Sequence, residues 1–190
     1  GVIKFQTVIP TFWRYFFNYV LQHPDSSYYM IADSALIHYS KLGVLISTMP
    51  VGLAYPSSIL QSNNGTFIIS GRNASLVYKI LEINTVGATL NSQNANNLSN
   101  LTLQASSGNI YGLTSGTIQK INPTSLTTTT ISNLLNAGTY ISTFALKNDS
   151  LFFTAGELSS QKLLYGILDQ NLNLLYQSQP TYKRVSPKGI

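Results

Sequence analysis

The chain has 190 residues and a net charge of +5, and 44% of its residues are hydrophobic while only 9% are charged. That length and apolar content exclude a disordered chain and allow a sizeable core, whereas the polar surface must come mainly from Ser, Thr, Asn, Gln and Tyr. The absence of cysteine excludes disulfides, cysteine-ligated metals and thiol catalysis.

The first predicted element is a β-strand over residues 1–10, where apolar and more polar residues alternate. Ile3, Phe5 and Ile9 share one face of this strand. Such a strand either closes a ring of sheets within its own chain or completes a sheet of a neighbouring molecule. In the second case Ile3, Phe5 and Ile9 form the assembly strand that fills an acceptor groove.

Residues 12–20, FWRYFFNYV, are dominated by aromatic side chains. They are compatible with a helix capped by Thr11 or with a strand, and Pro24 ends either element. Core packing explains these aromatics more simply than a platform for a ligand does. We therefore predict an N-terminal unit over residues 1–24, followed by a single β-rich domain over residues 25–190.

Beyond this unit, one order of segments recurs: a polar turn and a strand, a second turn and strand, then a third turn and strand. The four recurrences begin at Asp25, Asn64, Ser107 and Asn148, at spacings of 39, 43 and 41 residues. Further strand-like segments, SSILQS, NLTLQA and YISTFAL, lie between them. A near-constant period predicts a repeat architecture with four strands and about 41 residues per unit.

The turns and second strands indicate what kind of unit this is. Turn-forming pairs, Asn64-Gly65 and Asn122-Pro123, separate predicted strands. The stretches VYKILEINTVGATL and IQKINPTSLTTTT resemble blades of a β-propeller, and the resemblance extends over residues 18–178. It implies an all-β fold of four antiparallel, propeller-like repeats with an extra N-terminal strand. The alternative is a pilin-like β-sandwich completed by a donated strand.

Residues that could perform chemistry are sparse. His23 and His38 are the only histidines, and no carboxylate stands at a ligating spacing from either, so we predict no metal site. The six carboxylates are scattered over the repeats, and no nucleophile elbow, phosphate loop or dinucleotide fingerprint is present. We therefore expect no catalytic residues, no enzymatic activity and no cofactor.

Acceptor sequences for N-linked glycans, Asn-x-Ser/Thr, are about as frequent as expected by chance in a chain so rich in Asn, Ser and Thr. Some of them lie in predicted surface turns, which are good acceptor positions in a secreted protein. The predicted N-glycosylation sites are Asn64, Asn73, Asn97, Asn100 and Asn148.

The low charge, the Ser/Thr/Asn/Tyr-rich surface and the strand VIKFQTVIP together resemble the glycosylated thread-type surface filaments of archaea. This resemblance implies a secreted, extracellular, non-catalytic cell-surface subunit that polymerises with copies of itself, head to tail, by donor-strand complementation. The alternative is a monomeric β-propeller-type binding module for protein or glycan. Dispersed Lys and Arg disfavour a nucleic-acid partner, and no apolar run is long enough to span a membrane.

Overall fold

The computed structural model shows four four-stranded antiparallel sheets, each built from strands that are consecutive in the chain. No helix among the residues that it describes is long and apolar enough to cross a membrane. The described residues are 19–95, 98, 100–104, 108–114, 116–130, 139–147, 149–157 and 163–178.

The strands follow one another in chain order within each sheet. Sheet 1 contains β1 (Tyr19–Gln22), β2 (Tyr28–Ala32), β3 (Ala35–Tyr39) and β4 (Leu45–Pro50). Sheet 2 contains β5 (Tyr55–Gln61), β6 (Phe67–Arg72), β7 (Tyr78–Ile83) and β8 (Thr89–Asn94). Sheet 3 contains β9 (Asn100–Gln104), β10 (Ile110–Thr114), β11 (Thr117–Ile121) and β12 (Thr128–Thr130). Sheet 4 contains β13 (Thr139–Lys147), β14 (Ser150–Glu157), β15 (Leu163–Leu168) and β16 (Leu174–Ser178).

The predicted all-β repeat is confirmed, and its period is visible in the backbone. In every sheet the turn between the first and second strands contains a residue with positive φ. These residues directly follow the four predicted repeat starts, and they are Ser26, Gly65, Gly108 and Asp149. Each sheet nevertheless begins one strand earlier than the predicted unit. The segment between two units pairs with the strand that follows it across a tight turn, as β5 pairs with β6.

The structure contains four separate sheets and not the two-sheet sandwich that was the alternative prediction from the sequence. The aromatic segment reaches the described residues at Tyr19, where it begins the strand β1 rather than a helix. The predicted assembly strand, with Ile3, Phe5 and Ile9, lies outside the described residues. The division of the chain at residue 24 therefore stays a prediction.

Neighbouring sheets pack side by side, with their first strands closest together. β1 contacts β5, β5 contacts β9, and β9 contacts β13. A cluster of buried apolar side chains fills the space between each pair of sheets. Among the described residues no comparable contact joins sheet 1 to sheet 4, so the four sheets form an open arc.

Hydrogen bonds also join neighbouring sheets. The buried hydroxyl of Ser58 in sheet 2 donates to the carbonyl oxygen of Leu101 in sheet 3. The N–H of Ile141 in sheet 4 donates to the carbonyl oxygen of Gly116 in the β10–β11 turn, at 2.8 Å. Such bonds fix the position of one sheet against the next, because buried polar groups need defined partners.

The turn between the third and fourth strands has the same construction in sheets 1, 2 and 4, and it is one residue longer in sheet 3. A short polar side chain at its first residue accepts hydrogen bonds from backbone N–H groups two to four residues further on. This arrangement closes the turn without help from other parts of the molecule. The first residues of the four turns are Ser40, Asn84, Asn122 and Asp169.

Candidate functional site

The most distinctive polar arrangement lies at one end of sheet 2 and consists of Tyr55, Arg72 and Tyr78, which we call the Tyr–Arg–Tyr platform. Arg72 ends β6 and is the direct cross-strand neighbour of Tyr55 on β5 and Tyr78 on β7. The guanidinium carbon lies 5.6 Å from the centre of the Tyr55 ring and 5.5 Å from that of Tyr78. Both distances fit cation–π contacts, which hold the planar guanidinium in place.

The platform keeps its charge available to a partner. No carboxylate among the described residues lies within ion-pair distance of Arg72. Half of Tyr55 is exposed to solvent, and Arg72 is partly exposed. A fixed guanidinium presents its N–H donors in one plane and suits a carboxylate better than a flexible ammonium does.

Sheet 4 shows that the platform is not a general property of the repeat. Its residues at the equivalent cross-strand positions are Tyr140, Gly156 and Leu163. The Tyr140 ring lies over Gly156, where a Cβ atom would come within 2.9 Å of it. Sheet 4 therefore lacks the cation. Sequence reasoning missed it because the three residues are far apart in the chain and only the strand register brings them together.

A second polar cluster contains both histidines and lies in sheet 1, at the end with the β1–β2 turn. The platform lies at the opposite end of its own sheet, away from the β5–β6 turn. His38 Nε2 and the Ser27 hydroxyl share a hydrogen bond of 2.9 Å, and His23 Nδ1 lies 3.0 Å from an Asp25 carboxylate oxygen. Tyr29 connects the two pairs, since its ring stacks on His38 at 4.0 Å and meets His23 edge-on at 5.7 Å.

The electrostatics of this cluster suit structure better than catalysis. Hydrogen bonds from Ser27, together with the His23 ring 3.0 Å away, hold the pKa of Asp25 well below its usual range, and burial lowers the pKa of His38. Asp25 contacts His23 and not His38, so in the described part of the chain no carboxylate orients the imidazole of the Ser27–His38 pair for base catalysis. Among the described residues no three His, Asp or Glu side chains could together hold a metal ion.

The described part of the chain contains two of the predicted glycosylation sites in full. Asn64 is exposed in the β5–β6 turn, where its side-chain oxygen accepts from the Thr66 N–H. Asn73 directly follows Arg72, and its side-chain oxygen accepts from the Val77 N–H at 2.9 Å. Asn100 begins β9, and Asn97 and Asn148 lie outside the described residues. Glycan attachment stays a prediction at all five positions.

An apolar surface lies on the side of sheet 4 that faces away from sheet 3; we call it the bare face. Along β14 and β15 the side chains alternate between buried and exposed, and the exposed set points to this side. The bare face contains a cavity of about 380 Å³. Exposed aromatic residues at its edge are Phe152, Tyr165 and Tyr176.

Solved structures with this arrangement of sheets exist. The WD40 domain of Neurospora crassa Pan2 superposes with a TM-score of 0.64 at 15% identity, covering 86% of this chain and 52% of that one. Hydrazine synthase of Kuenenia stuttgartiensis gives 0.64 at 11%, covering 86% and 49%. A chain of a nidogen/laminin complex gives 0.58 at 14%, covering 84% and 62%.

These likenesses confirm the propeller-like fold predicted from the repeats. This chain spans about half to three fifths of the length of these three structures. No known protein family and no curated protein sequence matches it. The identities are low, so the comparisons show the fold alone, and the archaeal filament resemblance finds no support among them.

Proposed function

We propose that this chain is a non-catalytic, propeller-type binding module that recognises a protein or glycan through carboxylate groups. The observation that carries the proposal is the Tyr–Arg–Tyr platform, a fixed cation at one end of sheet 2. Tyrosine and arginine dominate the energetics of many interfaces, because they combine a large contact area with directed hydrogen bonds. The net charge of +5 attracts anionic partners over a longer range.

The experiment compares binding of the full chain to three probes on a biosensor surface: poly-L-glutamate, polygalacturonate and neutral dextran. We expect binding to one or both polyanions and none to dextran. Arg72→Ala removes the guanidinium and should weaken binding about tenfold, the size of one charge-assisted hydrogen bond of about 1.5 kcal/mol. Arg72→Lys keeps the charge but loses the planar stack, and an intermediate loss is expected.

Lys79→Ala is the matched control, because Lys79 lies in the same sheet but beside Gly71, on the other face from Arg72. It also removes one positive charge, and we expect less than about a twofold change. Two results would contradict the proposal. One is a wild-type chain that binds none of the probes, and the other is an equal loss in the Lys79 and Arg72 variants, which indicates attraction by net charge alone.

The filament interpretation depends on residues 1–10, which lie outside the described residues, and no described contact favours it. Its test is deletion of residues 1–10. A strand-donating filament subunit should then fold but no longer polymerise, whereas a propeller-type module has no polymer to lose. An extracellular location and N-linked glycans belong to the same untested interpretation, and the intact mass of native protein measures added sugar directly.

A further inference from the structure

The turn that joins β6 to β7 lies directly beside the Tyr–Arg–Tyr platform and carries an unusual leucine. Asn73 begins this turn, and its N–H donates to the carbonyl oxygen of Val77, the residue before Tyr78. Between them Leu76 has a φ of +60°, a backbone conformation that costs free energy for most residues other than glycine. Its side chain is 57% exposed. The chain therefore places a strained leucine in solvent next to a fixed cation.

Two other turns with the same backbone hydrogen bonds show which residues hold this position elsewhere. In the β7–β8 turn it is Gly87, whose N–H donates to the carbonyl oxygen of Asn84 at 3.0 Å and whose φ is +85°. In the β15–β16 turn it is Leu172, whose N–H donates to Asp169 at 2.9 Å and whose side chain is buried in the cluster between sheets 3 and 4. That leucine contributes to the core, whereas at Leu76 little burial offsets the strain.

The β15–β16 turn also shows on which side of its sheet Leu76 lies. Leu172 belongs to the same buried cluster as Leu168, the residue directly before that turn. Arg72 holds the equivalent position, directly before the β6–β7 turn. Because the two turns have the same backbone hydrogen bonds, Leu76 lies on the side of Arg72 and its two tyrosines. The Tyr–Arg–Tyr platform thus has an exposed aliphatic side chain beside its cation.

This pair of groups selects among the carboxylates that the proposed function allows. Sugar acids surround their carboxylate with hydroxyl groups, to which Leu76 offers no hydrogen-bond partner. The last residue of a peptide carries its carboxylate and its side chain on the same carbon atom, so a charged and an apolar group lie side by side, as Arg72 and Leu76 do. An internal Asp or Glu lacks this fixed arrangement. We propose, on the basis of the proposed function, that the platform binds the C-terminal carboxylate of a protein that ends in an apolar residue.

The test measures binding of the full chain to three peptides that are immobilised through their N-termini on a biosensor surface. Ser-Gly-Ser-Leu and Ser-Gly-Ser-Gly have a free C-terminal carboxylate, whereas the amide of Ser-Leu-Asp-Ser has its carboxylate inside the chain. Poly-L-glutamate is the reference probe for the proposed function. We expect Ser-Gly-Ser-Leu to bind about fivefold more tightly than either other peptide, because part of its leucine side chain is buried against Leu76.

Leu76→Gly removes the aliphatic side chain and should weaken binding of Ser-Gly-Ser-Leu about fivefold, so that the preference for this peptide is lost. The turn should survive this change, because Gly87 builds the same turn, and the melting temperature should stay close to that of wild type. Val86→Ala is the matched control. It removes part of an exposed apolar side chain in the β7–β8 turn, at the opposite end of sheet 2, and should leave binding unchanged.

The outcomes separate this inference from the proposed function. If poly-L-glutamate binds and requires Arg72 while the three peptides bind alike, the proposed function stands and this inference is overturned. A preference for Ser-Gly-Ser-Leu that persists in Leu76→Gly also overturns it, and so does a preference that Val86→Ala removes equally. If neither poly-L-glutamate nor any peptide binds, the proposed function fails and this inference fails with it.

Discussion

Sheets 2 and 4 have the same strand order and the same local construction, but they differ in what surrounds them. In both, the first strand bulges at a serine whose hydroxyl donates to a carbonyl of the second strand: Ser57 to Ser70 at 3.2 Å and Ser142 to Thr154 at 3.1 Å. Sheet 2 has neighbours on both sides, and the first five residues of β6 are buried. Along β14 burial alternates. Position in the arc, and not strand sequence alone, decides which residues form the core.

The largest expected effect contrasts two equivalent residues, Ile68 and Phe152, each of which lies three positions after the positive-φ residue of its turn, Gly65 or Asp149. Ile68→Ala removes a fully buried side chain between two sheets and should lower the free energy of unfolding by about 2–5 kcal/mol. Phe152→Ala removes a larger but partly exposed side chain and should cost only about 1 kcal/mol. Urea denaturation of dilute protein measures both. Equal losses would show that sheet 4 is as enclosed as sheet 2.

The contact between sheets 3 and 4 can be broken at Gly116. Its φ is +84°, and a Cβ atom there would lie 2.6 Å from Tyr140 Cβ, so Gly116→Ala combines backbone strain with a clash. We expect a loss of about 2–3 kcal/mol in thermal or urea unfolding. Gly65→Ala is the control, because its φ is +85° but no atom lies within 4 Å. It should cost about 1 kcal/mol, and a cost equal to that of Gly116→Ala would argue against the close approach.

A smaller effect is expected at the hydroxyl groups next to the bulges. Ser58→Ala leaves the Leu101 carbonyl without its buried donor and should cost about 1–2 kcal/mol. Thr143 holds the equivalent position in sheet 4 but is exposed, so Thr143→Val, which removes the hydroxyl and keeps the branched shape, should change stability by less than about 0.5 kcal/mol. Chemical denaturation measures the stability of both variants. An unchanged stability of Ser58→Ala would show that this hydrogen bond does not stabilise the contact between sheets 2 and 3.

The smallest effect concerns pH. The Asn173 side chain, followed by backbone N–H groups in the same turn, lowers the pKa of Asp169 below its ordinary value of 3.8. The stabilisation by the ionised carboxylate is complete above that value and is lost as pH falls through the lower folded-state pKa. Asp169→Asn should keep the turn, because Asn84 builds the same turn in sheet 2, but should reduce the loss of stability in acid. Urea unfolding on both sides of pH 3.8 tests this, and an unchanged pH profile would contradict it.

The strands and turns were predictable from sequence because their signals are local. Alternating apolar residues and turn-forming pairs such as Asn64-Gly65 fall where the structure has strands and positive-φ turns. Which strand begins each sheet was not predictable, because a strand of the repeat can pair equally well with the strand before it and with the strand after it. The Tyr–Arg–Tyr platform depends on register across three strands, and the bare face depends on a missing neighbour, neither of which leaves a local pattern.

The turns between third and fourth strands bear on how such a repeat diverges. A hydroxyl at Ser40, an amide at Asn84 and a carboxylate at Asp169 cap the same backbone loop, and the amide of Asn122 caps a loop that is one residue longer. Because three different chemical groups can cap this turn, the repeat units can diverge in sequence while each keeps its backbone structure. Sequence similarity is then lost before structural similarity. This chain illustrates the point, because it matches solved propeller-like structures but no family model.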